Sequence, residues 1–161
     1  MERVASFEKV SLEQYQKDSG FKEEVYNKIL LPFRATEGSA GYDFSIPFPC
    51  HLEPGETIRI PTGIRCKITS GWVLMIFPRS SLGFKYKLQL DNTAGIIDSD
   101  YYYAENEGHI MIKVTNHGEK PLDLKENDRF AQGIFLPFGI TVDDEAIEKR
   151  TGGFGSTNER K

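Results

Sequence analysis

Apolar and polar positions alternate along most of this chain in short runs, with turn residues between them. From about residue 28 the runs read KILLPF, AGYDFSI, TIRIPTGIRCKI, WVLMIF, KLQL, HIMIKVT, LDL and RFAQGIFLPF. EPGE, TSG, NHGEKP and KEND separate several of them. Ile, Val, Thr, Phe and Tyr dominate the runs and suit a pleated, half-buried surface, while Gly, Pro, Asn and Asp punctuate them. Ile58 and Ile60, then Ile64, Cys66 and Ile68, recur with period two, which turns one face of those strands to the core. A helical period shows only near the start. There SLEQYQKD sets Ser11 three residues before Gln14, a capping-box spacing, with Leu12 and Tyr15 facing inward. VDDEAIEK, before the tail, is the one other stretch that reads as helix. The pattern predicts an all-β domain over residues 1–148, with a short N-terminal helix near 11–18, and a flexible Gly-rich arm at 149–161.

Composition bounds this picture. With 161 residues, 39% apolar and 27% charged, the chain can bury one core of its own. A net charge of −4 without a basic block argues against a nucleic-acid face. No apolar run approaches the ~20 residues of a membrane span. Acidic residues stand in MERVASFEKVSLEQ where a signal peptide would be apolar. Cys50 and Cys66 are too few for a disulfide framework, and they read as reduced thiols in a cytoplasmic protein. His51, His109 and His117 share no metal-ligand spacing with each other or with the cysteines, so no protein-held metal is expected.

Four stretches resist a plain strand-and-turn reading. In SAGYDFSIP, Asp43 interrupts an apolar run, where a carboxylate needs a partner; it also reads as a turn residue beside Gly41. In FPRSSLGFKYK, Arg79, Ser80 and Ser81 end the run VLMIF and offer a cation and two hydroxyls to phosphate oxygens. In LDNTAGIIDSDYY, Gly95 permits a tight hairpin and Asp98 emerges at its mouth, placed to orient a water as general base. Asp98 and Asp100 would share one side of a strand and need a cation, or else they belong to a solvated turn. In DRFAQGIF, Arg129 and Gln132 interrupt a buried-looking strand, and a buried amide must find partners. Together these supply the parts for attack by water on a phosphate anhydride.

In order and spacing, AGYDF, PRSSLG, NTAGIIDSDYY, RFAQGIF and GGFGST resemble the five motifs of trimeric dUTPases across residues 28–158. The resemblance implies a jelly-roll or distorted β-barrel subunit and a homotrimer whose active sites are shared among chains. It implies hydrolysis of dUTP to dUMP and pyrophosphate, which lowers dUTP and supplies dUMP for dTMP synthesis. Carried over by position, Asp98 activates the water that attacks the α-phosphate. Asn92, Gly95, Ile96 and Ile97 form the hairpin that receives uracil and sugar. Tyr101 packs under the deoxyribose against a 2′-hydroxyl, and Met111 lends backbone to the uracil edge. Arg79, Ser80, Ser81 and Gln132 bind phosphate oxygens. Mg²⁺ is bound through the triphosphate and water, with Asp43 and Asp100 acting at one remove. In the arm, Phe154 stacks on uracil, while Gly155, Ser156 and Thr157 meet the outer phosphates.

Three departures matter. Ser81 stands where the family usually has glycine. YAENE, 103–107, reads as a surface insertion offering a face for a protein partner. Lys149 takes the usual place of the tail arginine and Arg150 follows it, so either could reach the γ-phosphate. The related dCTP deaminases use a glutamate, and none is embedded in the motif around Asp98.

Overall fold

The computed structural model describes residues 1–148, 150 and 152. Its first half runs β1 (Ala5–Lys9), α1 (Leu12–Ser19), α2 (Glu23–Asn27), β2 (Phe33–Arg34), β3 (Tyr42–Ser45), β4 (Cys50–Leu52), β5 (Thr57–Pro61) and β6 (Ile64–Ile68). Then come β7 (Trp72–Pro78), α3 (Ser80–Tyr86), β8 (Leu88–Leu90), β9 (Gly95–Ile97), a 3₁₀ turn (Ser99–Tyr103), β10 (Met111–Asn116), β11 (Leu122–Leu124) and β12 (Arg129–Pro137). The all-β expectation holds. The largest sheet has five strands in the order β2-β3-β12-β7-β9, and β5-β10-β8 form a second. Two further pairs are β1-β6 and β4-β11. Among the described residues these sheets do not close into a barrel.

The strands form where side chains alternate between core and solvent. Along β6, Ile64, Cys66 and Ile68 are buried while Lys67 is exposed, as the period of two predicts. Phe44, Leu74, Ile76 and Phe130 from the five-stranded sheet join Ile60, Ile112 and Val114 from the second in one core. Each fully buried side chain of this kind contributes about 1.5–3 kcal/mol. Helix α1 begins as predicted, with the Ser11 hydroxyl accepting the Gln14 N–H at 3.1 Å. Tyr15 is buried and Leu12 partly so.

Several elements depart from the expectation. Strand β1 pairs with β6 ahead of the helix, and its Phe7 ring packs against Tyr42, Phe44 and Phe135. Helices α2 and α3 are additional. VDDEAIEK is not helical over 142–148, because Val142 and Ile147 stand fully or almost fully exposed. A short helix with no surface to pack its apolar face is marginal in water. Among the described residues, no helix is long and apolar enough to cross a membrane.

Candidate active site

Strand β9 is three residues long and runs along β7, pairing Gly95 with Ile76, Met75 with Ile96 and Leu74 with Ile97. Ile97 points into the core and anchors the strand end. The chain leaves the sheet at Asp98, in extended conformation, and enters the 3₁₀ turn that carries Asp100 and Tyr101. Asp98 keeps a half-exposed carboxylate. Arg150, from the tail, donates to Asp98 Oδ2 from Nη2 at 2.6 Å and to Asp100 Oδ1 from Nε at 3.0 Å. Its guanidinium carbon also lies 5.8 Å from the centre of the Tyr101 ring. The strand expected to hold Asp98 and Asp100 on one side is therefore a turn, and a cation draws the two carboxylates together.

The expected hairpin is also revised. Strand β8 pairs with β10 and β9 pairs with β7, so the turn around Asn92 passes the chain from one sheet to another. Thr93 takes a left-handed φ of 69°, and its N–H is bonded to Leu90 O. Gly95 serves packing: a Cβ there would lie 3.2 Å from Ile76 Cβ. Asn92 and Ile96 are exposed, and Met111 is half-buried at the start of β10.

A second polar cluster gathers where β3, β12 and β7 run side by side. Gln132 lies opposite Asp43 on one flank and Phe77 on the other, and its Nε2 donates to Pro78 O at 3.2 Å. The buried Asp43 carboxylate meets Arg129 Nη1 at 2.9 Å and Arg79 Nε at 3.3 Å. Both oxygens thus face arginines. Arg79 N–H donates to Phe130 O at 3.2 Å, tying the start of α3 to β12. Ser80 and Ser81 are exposed on the first turn of α3. A cavity of about 330 Å³ opens here, lined in part by Arg79, Ser81, Lys85, Asn127 and Arg129.

The two clusters lie at opposite ends of β7. Ile97 is level with Leu74, so Asp98 leaves the sheet beside Val73, whereas Arg79 follows Pro78. At the usual rise per residue, residues 73 to 79 of an extended strand span about 20 Å. Asp98 and Arg79 of one chain therefore stand at opposite ends of that strand.

The dUTPase family model matches residues 27–158. The chain belongs to the dUTPase family. The deoxyuridine 5′-triphosphate nucleotidohydrolase of Lactococcus lactis is 42% identical over 132 residues, covering 80% of this chain and 88% of the relative. That of Haemophilus influenzae is 39% identical over 144 residues, covering 84% and 92%. Among solved structures, the dUTPase from Streptococcus mutans superposes with a TM-score of 0.66 at 34% identity, covering 84% of this chain and 97% of that one.

The first four motifs, AGYDF, PRSSLG, NTAGIIDSDYY and RFAQGIF, fall within the described residues. The arm residues Phe154, Gly155, Ser156 and Thr157, and with them Lys149, lie outside the described residues. Residues 103–107, which read from the sequence as an insertion, are more integrated than a free surface would be. Ala104 is buried, Asn106 and Glu107 are hydrogen-bonded, and only Tyr103 and Glu105 stand exposed. Neither thiol is set up as a nucleophile: burial pushes Cys50 up to about 11 and Cys66 up to about 12. Arg129 showed in the sequence as a polar interruption, but its partnership with Asp43 appears only once β3 and β12 are paired.

Proposed function

We propose that this chain hydrolyses dUTP to dUMP and pyrophosphate, with Asp98 as the general base for water attacking the α-phosphorus. The observation that carries this reading is the Asp98 carboxylate at the end of β9, half-exposed beside Tyr101 and within reach of the tail. A carboxylate is a weak base at neutral pH, so the rate rests on positioning and on neutralising the polyphosphate. Arg79, Ser80, Ser81 and Gln132 take the phosphate oxygens, and Asp43 holds Arg79 at the right angle. Arg150 releases Asp98 and moves to the outer phosphates when substrate arrives, and the arm with Phe154, Gly155, Ser156 and Thr157 closes over the nucleotide.

The turn from Asn92 to Ile97 presents backbone to a pyrimidine edge, with Met111 lending backbone beside it. Backbone against C5 leaves no room for the thymine methyl, and lost polar contacts reject cytosine. Tyr101 forms the wall under the deoxyribose. Among the described residues no three His, Cys, Asp or Glu side chains gather as metal ligands. The donors proposed for Mg²⁺ are the triphosphate oxygens and water, and the ion when bound would offset the triphosphate charge.

The separation of Asp98 from Arg79 along β7 supports sites built between copies, as in a homotrimer. The test is release of pyrophosphate from dUTP with Mg²⁺. Asp98→Asn should lower kcat by about 100-fold or more while the fold and assembly persist, because general-base catalysis typically contributes that much. A folded wild-type protein inert toward dUTP would overturn the reading.

A further inference from the structure

We infer that the inserted turn and the N-terminal segment form a brace for Tyr101, with Asn106 as the residue that positions its ring. The inference rests on the reading of Tyr101 as the sugar wall, and it concerns residues that reading does not use.

The inserted turn folds back on the segment that precedes it. Asn106 Nδ2 donates to the Tyr101 hydroxyl at 2.8 Å, and that hydroxyl donates to His109 O at 2.7 Å. The Asn106 side-chain oxygen accepts the Gly108 N–H at 3.2 Å, and its backbone carbonyl accepts the His109 N–H at 3.1 Å. One asparagine thus ties the tip of the Tyr101 ring to the limb of the loop that returns through Gly108 and His109. Gly108 makes the closure possible: its φ is +69°, and a Cβ would lie 2.6 Å from Tyr101 O.

The loop is then fastened at two points to α1. The Glu107 carboxylate accepts the Ser11 N–H at 2.9 Å and the Ser11 hydroxyl at 2.5 Å, at the helix N-terminus. At the other end the buried His109 ring lies 2.6 Å from Asp18 and accepts the Gly63 N–H at 2.8 Å. Tyr102 adds a bond from its hydroxyl to Glu8 of β1 at 2.8 Å, with Arg65 stacked 3.6 Å from its ring centre. Residues 1–26 lie outside the region that the family model matches. The insertion and the N-terminal segment are therefore joined features of this chain, and what they jointly hold is the loop carrying Tyr101.

A wall that discriminates a hydroxyl from a hydrogen must not give way when the larger sugar presses on it. The brace supplies that resistance. The experiment measures kcat/KM for dUTP and for UTP in Asn106→Ala, Tyr101→Phe, the double variant and Tyr101→Ala. Asn106→Ala and Tyr101→Phe should each lower the dUTP-to-UTP ratio by about threefold to tenfold, the worth of one hydrogen bond. The double variant should lower it no further than Tyr101→Phe does, because Asn106 acts on the ring only through that hydroxyl. If Asn106→Ala does not fold, Asn106→Asp carries the test, since it keeps the acceptor for the Gly108 N–H and deletes the donor to the Tyr101 hydroxyl. Additive losses, or a wild-type ratio in Asn106→Ala or Tyr101→Phe beside a lost ratio in Tyr101→Ala, would overturn the brace and leave the sugar wall standing. A wild-type ratio in Tyr101→Ala would overturn the wall itself, and the brace with it.

Discussion

Arg150 lies 2.6 Å from Asp98, so the tail places a guanidinium on the carboxylate that would activate water. The same side chain reaches Asp100 at 3.0 Å and is itself mostly buried. A triphosphate carries more charge than these two carboxylates, and it would draw the arginine across. Arg150→Ala should therefore weaken binding of a non-hydrolysable dUTP analogue about tenfold, as expected for a charge-assisted contact. Binding of dUMP, which lacks the outer phosphates, should change by no more than about twofold. Calorimetric titration of both ligands checks this, and equal losses would refute it.

Asp43 is the shared counter-charge of Arg79 and Arg129. Asp43→Asn leaves two cations near one another with no carboxylate between them. Removing one partner of a fully buried pair costs about 3–5 kcal/mol. Here the arginine side chains are 30% and 37% exposed, and solvent screening reduces the loss to about 2 kcal/mol. Urea unfolding should show that loss, and kcat/KM for dUTP should fall with it because Arg79 is no longer oriented. A midpoint unchanged within about half a kcal/mol would show that the arginines do not depend on Asp43.

What the sequence made legible follows from what each signal needs. Asp43 and Gln132 stood out because a polar residue inside an apolar run needs a partner, and Asp98 because it emerges beside the Gly95 turn; the structure supplies partners for all three. Strand β6 was legible from its alternation alone. Strand β1 was not, because Phe7 is its only large apolar residue and the rings it meets come from β3 and β12. Gly95 suits a hairpin and a sheet crossing equally well, so only the long-range pairing of β9 with β7 decides between them. Asn106 reads as an ordinary loop residue until Tyr101 lies above it. Glu107 meets Ser11, 96 positions away, and no local pattern encodes that contact.

Two histidines give stability opposite pH dependences. His109 is neutral in the fold, because Nε2 accepts the Gly63 N–H while Nδ1 donates to Asp18. Burial holds its pKa below the ordinary value of about 6.5, so the unfolded chain binds more protons near that pH. Its contribution is full above about 6.5 and is lost as pH falls below it. His51 is the reverse: hydrogen bonds to Asp123 and Glu53 raise it to about 9. Its contribution is full below about 6.5 and is lost as pH rises through about 9. Urea midpoints measured from pH 5 to 10 should lose their acid slope in His109→Asn and flatten on the alkaline side in His51→Gln. Slopes identical to wild type in both variants would remove these assignments.

The opposite placement of Asp98 and Arg79 along β7 leads to a test of who supplies what. Were each site built from one chain, a mixture of Asp98→Asn and Arg79→Ala proteins would contain no intact site, since every chain carries a lesion. Were the carboxylate and the arginine drawn from different copies, a site pairing Asp98 of an Arg79→Ala chain with Arg79 of an Asp98→Asn chain would be whole. In randomly mixed closed rings, each site has even odds for each of its two contributors, so about a quarter of the sites regain both groups. Co-expressing the two variants should therefore restore about a quarter of wild-type dUTP turnover, while each variant alone stays near its own low level. Mixing them after separate purification should restore nothing until the subunits exchange, which brief denaturation and refolding would bring about. A co-expressed mixture no more active than its parts would mean that one chain folds its own carboxylate and arginine into one site, against the separation along β7.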